Sequence, residues 1–63
     1  MNEYKEKLKI FLESHAKSRR EEDMKEMQKY ERHLMTGALM FAMNAKIITP
    51  KEEKELYQRY VEE

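Results

Sequence analysis

Ile47-Ile48-Thr49-Pro50-Lys51-Glu52 is the stretch whose reading decides the fold. The Thr49 hydroxyl can accept from the bare amides of a first helical turn, and Pro50 lacks the N–H that would go unsatisfied at the first helical position. Glu52, three places after Thr49, completes a capping box. A helix therefore starts at Pro50. Leu56, Tyr57, Tyr60 and Val61 give it one short apolar edge, too little to fold by itself. The pattern predicts a helix over about 50–61, packed on the chain just before it, near Phe41 to Ile48.

Upstream of that start, residues 19–45 carry helical spacing throughout. Met24, Met27, Leu34, Ala38, Phe41 and Ala45 fall on a heptad-like seam, interrupted by Glu31, which predicts the face turned to a neighbouring helix or a symmetry mate. From Leu34 a second row joins it: Met35, Leu39, Met40, Met43 and Ile47. A helix apolar nearly all round has to be covered on more than one side. Gly37 costs a helix interior only about 1 kcal/mol relative to alanine, so one helix over 19–45 is expected, with a break at Met35-Thr36-Gly37 as the alternative.

Further back, Tyr4, Leu8, Phe11, Leu12 and His15 recur at spacings of three and four, predicting an amphipathic helix over about 2–15 with Asn2 as its N-cap. The stripe then disappears over Lys17-Ser18-Arg19-Arg20-Glu21-Glu22-Asp23, and Ser18 with Glu21 has the spacing of a fresh capping box. A joint is expected there, folding residues 2–45 into a helical hairpin; with no Gly or Pro to enforce it, one continuous rod stays open. The expected fold is all-α: a hairpin plus a short third helix in a single domain over 1–63, assembled as a homodimeric helical bundle.

Composition agrees. With one Gly, one Pro, no Cys, six Met and 41% charged residues, the 63-residue chain is rich in helix formers and poor in turn formers. A domain of that size buries only about 60% of its unfolded surface, disulfides are ruled out, and two histidines without cysteine do not make a zinc site. Self-association is the remaining route to a larger core. Formal charge is zero, with a mildly basic front and a mildly acidic tail. The charged first residues have no apolar leader, and the apolar run at 34–45 is short of the roughly 20 residues that span a bilayer, which predicts a cytoplasmic protein without a membrane segment.

Catalytic chemistry finds little to work with. Ser14 and His15 are adjacent, so on a helix they point about 100° apart and do not make a nucleophile and base. No Glu-x-x-His repeat prepares a carboxylate metal site. No catalytic, cofactor or metal residue is assigned, and the chain is expected not to be an enzyme. Lys17, Arg19 and Arg20 are the one basic knot that could meet phosphates, but Glu21, Glu22 and Asp23 follow at once, within a Debye length of about 8 Å. Nucleic-acid binding is thus the secondary expectation. Pairing 44–49 with the third helix as a helix-turn-helix fails on sign, since residues 51–63 hold five Glu against three cations.

Five of the six methionines lie between Met24 and Met43. Flexible thioethers fill irregular cores, their default role, and also serve surfaces that must fit several shapes. Two apolar rows on one helix exceed what three short helices can shelter. Met35, Leu39, Met40, Met43, Ile47, Leu56, Tyr57 and Tyr60 are therefore the expected interface, toward a second copy or a partner protein.

The segment Ala45-Lys-Ile-Ile-Thr-Pro-Lys-Glu-Glu-Lys-Glu-Leu-Tyr57 resembles a short helix-loop-helix with the pattern G-[IL]-I-[TS]-x-E-E, found in C-terminal oligomerisation domains and in small helical accessory proteins of Firmicutes bacteria and their phages. It spans about a quarter of the chain, and Lys46 stands where the pattern usually has Gly. The resemblance implies a self-associating accessory protein of phage or mobile-element type and carries over no catalytic or ligand residue. The function expected is that of a small regulatory protein that self-associates and binds or inhibits a partner protein, the alternatives being a nucleic-acid-binding regulator and a non-catalytic subunit of a larger complex.

Overall fold

The computed structural model describes residues 2–62, with side chains from Glu3 onward. The chain is all-α, with no strand among the described residues: α1 (Asn2–Glu21), α2 (Lys25–Asn44) and α3 (Pro50–Leu56), which runs on into a π-helical turn over Tyr57–Val61. The cap expected at Asn2 lies outside the described side chains.

The start of α3 follows the capping chemistry read from the sequence. Glu52 N–H donates to Thr49 Oγ1 at 3.1 Å, Thr49 N–H donates to Glu52 Oε1 at 2.8 Å, and Pro50 occupies the first turn. At the other end, the last amide of the π turn closes a wide ring, Glu62 N–H to Tyr57 C=O at 3.0 Å. That turn brings the consecutive residues Tyr60 and Val61 both into the core.

Two of the expected boundaries are corrected. α1 runs to Glu21 rather than stopping near 15, so the hairpin joint is only residues 22–24, and Ser18 with Glu21 caps nothing because both still lie inside α1. The apolar stripe of α1 continues through Leu12, Ala16 and Arg19, all buried. Arginine reads as polar in a sequence, yet its aliphatic stem can line a core. α2 then starts at Lys25 rather than 19. Its first turn is tied down from the joint itself: Met24 N–H donates to a Glu22 carboxylate oxygen, and the Gln28 side-chain amide donates to Glu22 C=O at 2.7 Å.

The third correction concerns which side of α2 faces inward. The core is Leu12 and Ala16 of α1, Met35, Leu39 and Ala42 of α2, Ile48 of the following loop, and Tyr60 and Val61. The seam expected to face a neighbouring helix or a symmetry mate is not turned to α1 and lies largely outside the core of the single chain: Met24, Met27 and Phe41 are exposed, and Leu34 and Ala38 half-buried. In its N-terminal half the inward row runs through Gln28 and Glu31, both half-buried, and those polar residues hid it from a hydrophobic pattern. α2 has to meet α1 and the π turn at once, and the row Met35-Leu39-Ala42 is the one that reaches both.

Gly37 causes no break; α2 is continuous through it. The helix ends instead in a Schellman arrangement. Ile47 N–H donates to Ala42 C=O at 2.9 Å and Lys46 N–H to Met43 C=O at 3.1 Å, with Lys46 at φ 63°. The left-handed position is the one that usually takes glycine, and it is occupied here by lysine.

Candidate interaction surface

α1 and α2 lie antiparallel and are joined by a polar contact in which His15 Nδ1 sits 3.0 and 3.1 Å from the two Glu31 carboxylate oxygens. The His15 ring also stacks, tilted, against Phe11, with centroids 4.3 Å apart. A histidine paired with a carboxylate is half of a proton relay. Among the described residues no hydrogen bond joins Ser14 to that pair, so its evident role is to hold the two helices together.

The expected interface residues separate into three groups. Met35, Leu39 and Tyr60 are buried and present nothing to a partner, which corrects that part of the expectation: the row they belong to became the core. Met43, Ile47, Leu56 and Tyr57 are half-buried and pack against that core. Met40 alone of the eight is exposed, at 51%. The basic trio is divided too. Lys17 and Arg20 are exposed while Arg19 is buried, so the three do not form one phosphate-facing patch.

The apolar surface that does face outward carries most of the heptad-like seam expected to meet a neighbouring helix or a symmetry mate, and the eight interface residues expected from the sequence left it out. On α2, Met27, Tyr30 and Phe41 are 43%, 56% and 68% exposed, and half-buried Leu34 and Ala38 lie between them at helical spacing. Tyr4, exposed, and Phe11, half-buried, share a face of α1 at a spacing of seven. Through Phe11, His15 and Glu31 that flank of α1 adjoins α2. The signal was present in the two apolar rows of α2; the error lay in choosing which row would be covered.

α3 and its π turn take the opposite flank of the hairpin. One open groove, of about 380 Å³, lies between α1 and α3 and is lined by Lys5, Leu8, Lys9, Ile48, Glu52 and Arg59. A second, of about 360 Å³, lies where Lys29, Arg32, His33 and Thr36 of α2 meet Tyr57 and Val61. The first is of mixed charge: Lys5 Nζ is 3.1 Å from Glu52 Oε2 across it. The Thr49 backbone amide and then that lysine hold the Glu52 carboxyl below its ordinary value of 4.5. Among the described residues no group of three metal-ligating side chains comes together, and no helix is long and apolar enough to cross a membrane.

No family model, curated protein or solved structure matches the chain.

Proposed function

We propose that this chain is a non-catalytic, protein-binding helical protein, a cytoplasmic accessory or regulatory component that associates with itself and docks on a partner protein. The observation that supports this most directly is the outward row of α2, in which Met27, Tyr30 and Phe41 stand in water around Leu34 and Ala38. Contiguous apolar surface of that kind is uncommon on proteins that act alone and marks sites of association. Its makeup suits the role. Tyrosine and phenylalanine supply large, stiff contact area, and methionine adapts to the shape it meets. Regulation by occupying another protein's surface needs no reactive group, and the half-relay of His15 and Glu31 is already committed to joining α1 to α2.

Photo-crosslinking in the native cell tests the proposal. A benzophenone amino acid at position 41 should give discrete protein adducts, while the same probe at the exposed position 13 on α1 should give few. Equal adduct yields from the two positions, or none from either, would refute it.

A further inference from the structure

Gly37 of α2 has no role that the single chain accounts for. Its φ is not positive, and a Cβ built on it meets nothing within 4 Å. Neither a turn nor a close approach within the chain calls for glycine, although glycine weakens the interior of the helix that contains it. Gly37 and Ala38 lie between Leu34 and Phe41 at the i, i+3, i+4, i+7 spacing of one helix face, with Tyr30 a turn earlier. Two small residues thus make a flat spot amid large apolar side chains. Neither Gly37 nor Ala38 lines the open groove that Lys29, Arg32, His33 and Thr36 form with the π turn.

We infer that this face is an isologous dimer interface, in which α2 of one copy lies antiparallel on α2 of a second copy and the two cross at Gly37 and Ala38. The inference rests on the protein-binding proposal and names the occupant of the outward row as the chain itself. Three observations single out a second copy. The first is shape. A two-fold axis between Gly37 and Ala38 sets the small pair against its equivalent and lets the helix axes approach closely, since interaxial distance follows the side chains at the crossing. Leu34 and Phe41 are equally far from that point in sequence and so fall opposite each other across the axis, and by the same count Tyr30 falls opposite exposed Ala45, large against small.

The second observation is charge. From Leu34 to Ala45 α2 contains no charged residue, so the antiparallel crossing brings no like charges together at its centre. The third is area. An aromatic side chain offers about 200 Å² when bare, so Tyr4, Met27, Tyr30 and Phe41 at their exposures contribute roughly 400 Å² per copy. With half-buried Phe11, Leu34 and Ala38, two copies offer at most about 1,200 Å², the lower edge of specific interfaces.

Sedimentation equilibrium on the whole chain, from about ten to several hundred micromolar, tests the inference, with circular dichroism reporting helix content. The wild type should approach the dimer mass within that range. Phe41→Glu should raise the dimer dissociation constant at least tenfold. Gly37→Gln should do the same while keeping or raising helicity, because glutamine favours helix and the position is open in the single chain. Met40→Glu, an equal change of character at an exposed residue outside the row, should leave the constant within twofold. A monomer at every concentration overturns the inference, as does a dimer indifferent to Phe41→Glu and Gly37→Gln, or one equally sensitive to Met40→Glu. A monomer that still yields adducts with other proteins from position 41 would overturn the second copy as occupant and leave protein binding standing; a dimer whose position 41 captures nothing but itself in cells would do the reverse for the partner.

Discussion

Lys5 and Glu52, 47 positions apart, meet with Nζ 3.1 Å from Oε2 and so tie the first turns of α1 to the first turn of α3. The same carboxylate accepts from the Thr49 amide through its other oxygen, so one side chain serves both a helix cap and a tertiary contact.

That double duty gives a pH dependence of definite sign. Glu52 titrates below 4.5 in the folded chain, chiefly through the Thr49 amide and next through Lys5, so the unfolded chain binds the proton more readily. The stabilisation is in full force above the unfolded value and is lost as pH falls through the depressed folded one. Wild type should melt above Glu52→Gln at pH 7, and the gap should narrow progressively as pH falls below 4.5. A gap that keeps the same size from pH 7 through the acid range would mean that the charge on Glu52 contributes nothing.

Burial separates the two apolar rows of α2 by stability. Leu39 is fully buried, and truncating it to alanine should cost about 2–5 kcal/mol, a large share of what so short a chain has. Met27→Ala, on the outward row, should change stability by no more than about 0.5 kcal/mol at low micromolar concentration. Urea unfolding followed by circular dichroism reads both. A cost for Met27→Ala matching that of Leu39→Ala would restore the heptad seam as the core.

Lys46 holds the left-handed position that ends α2, with φ at 63°. A side chain there costs roughly 1 kcal/mol that glycine avoids, partly offset by the greater freedom of glycine in the unfolded chain. Lys46→Gly should therefore raise the urea midpoint, by about 0.5–1 kcal/mol in stability. A lowered midpoint would show that the lysine side chain contributes something the backbone geometry does not reveal.

Removing one member of the His15–Glu31 pair should be asymmetric. The Glu31 side chain is only 13% exposed against 28% for His15, so His15→Ala strands a largely buried carboxylate and should cost about 1–3 kcal/mol. Glu31→Leu replaces that carboxylate with apolar volume and should cost less. A double-mutant cycle at neutral pH isolates the coupling, expected near 1 kcal/mol; a coupling of zero would make the contact incidental.

Much of this architecture was legible in residue order because it depends on interactions between near neighbours. Thr49, Pro50 and Glu52 started α3 by satisfying amides within one turn, and the three-and-four spacing of Tyr4, Leu8, Leu12 and His15 made α1 a helix. What was not legible depended on atoms far apart in sequence. Arg19 looked like a phosphate-facing cation, yet the fold buries it, and α1 runs on past it to Glu21.

The residues themselves determined helix identity, the all-α class and the surplus of apolar side chains on α2, since helical periodicity and capping are local properties. Only the tertiary structure decided which of the two rows on α2 is sheltered. Rotating a helix about its axis leaves its backbone hydrogen bonds unchanged, so the choice falls to what packs against it. Here Leu12, Ala16, Tyr60 and Val61 together cover Met35, Leu39 and Ala42, and leave Met27, Tyr30 and Phe41 in solvent.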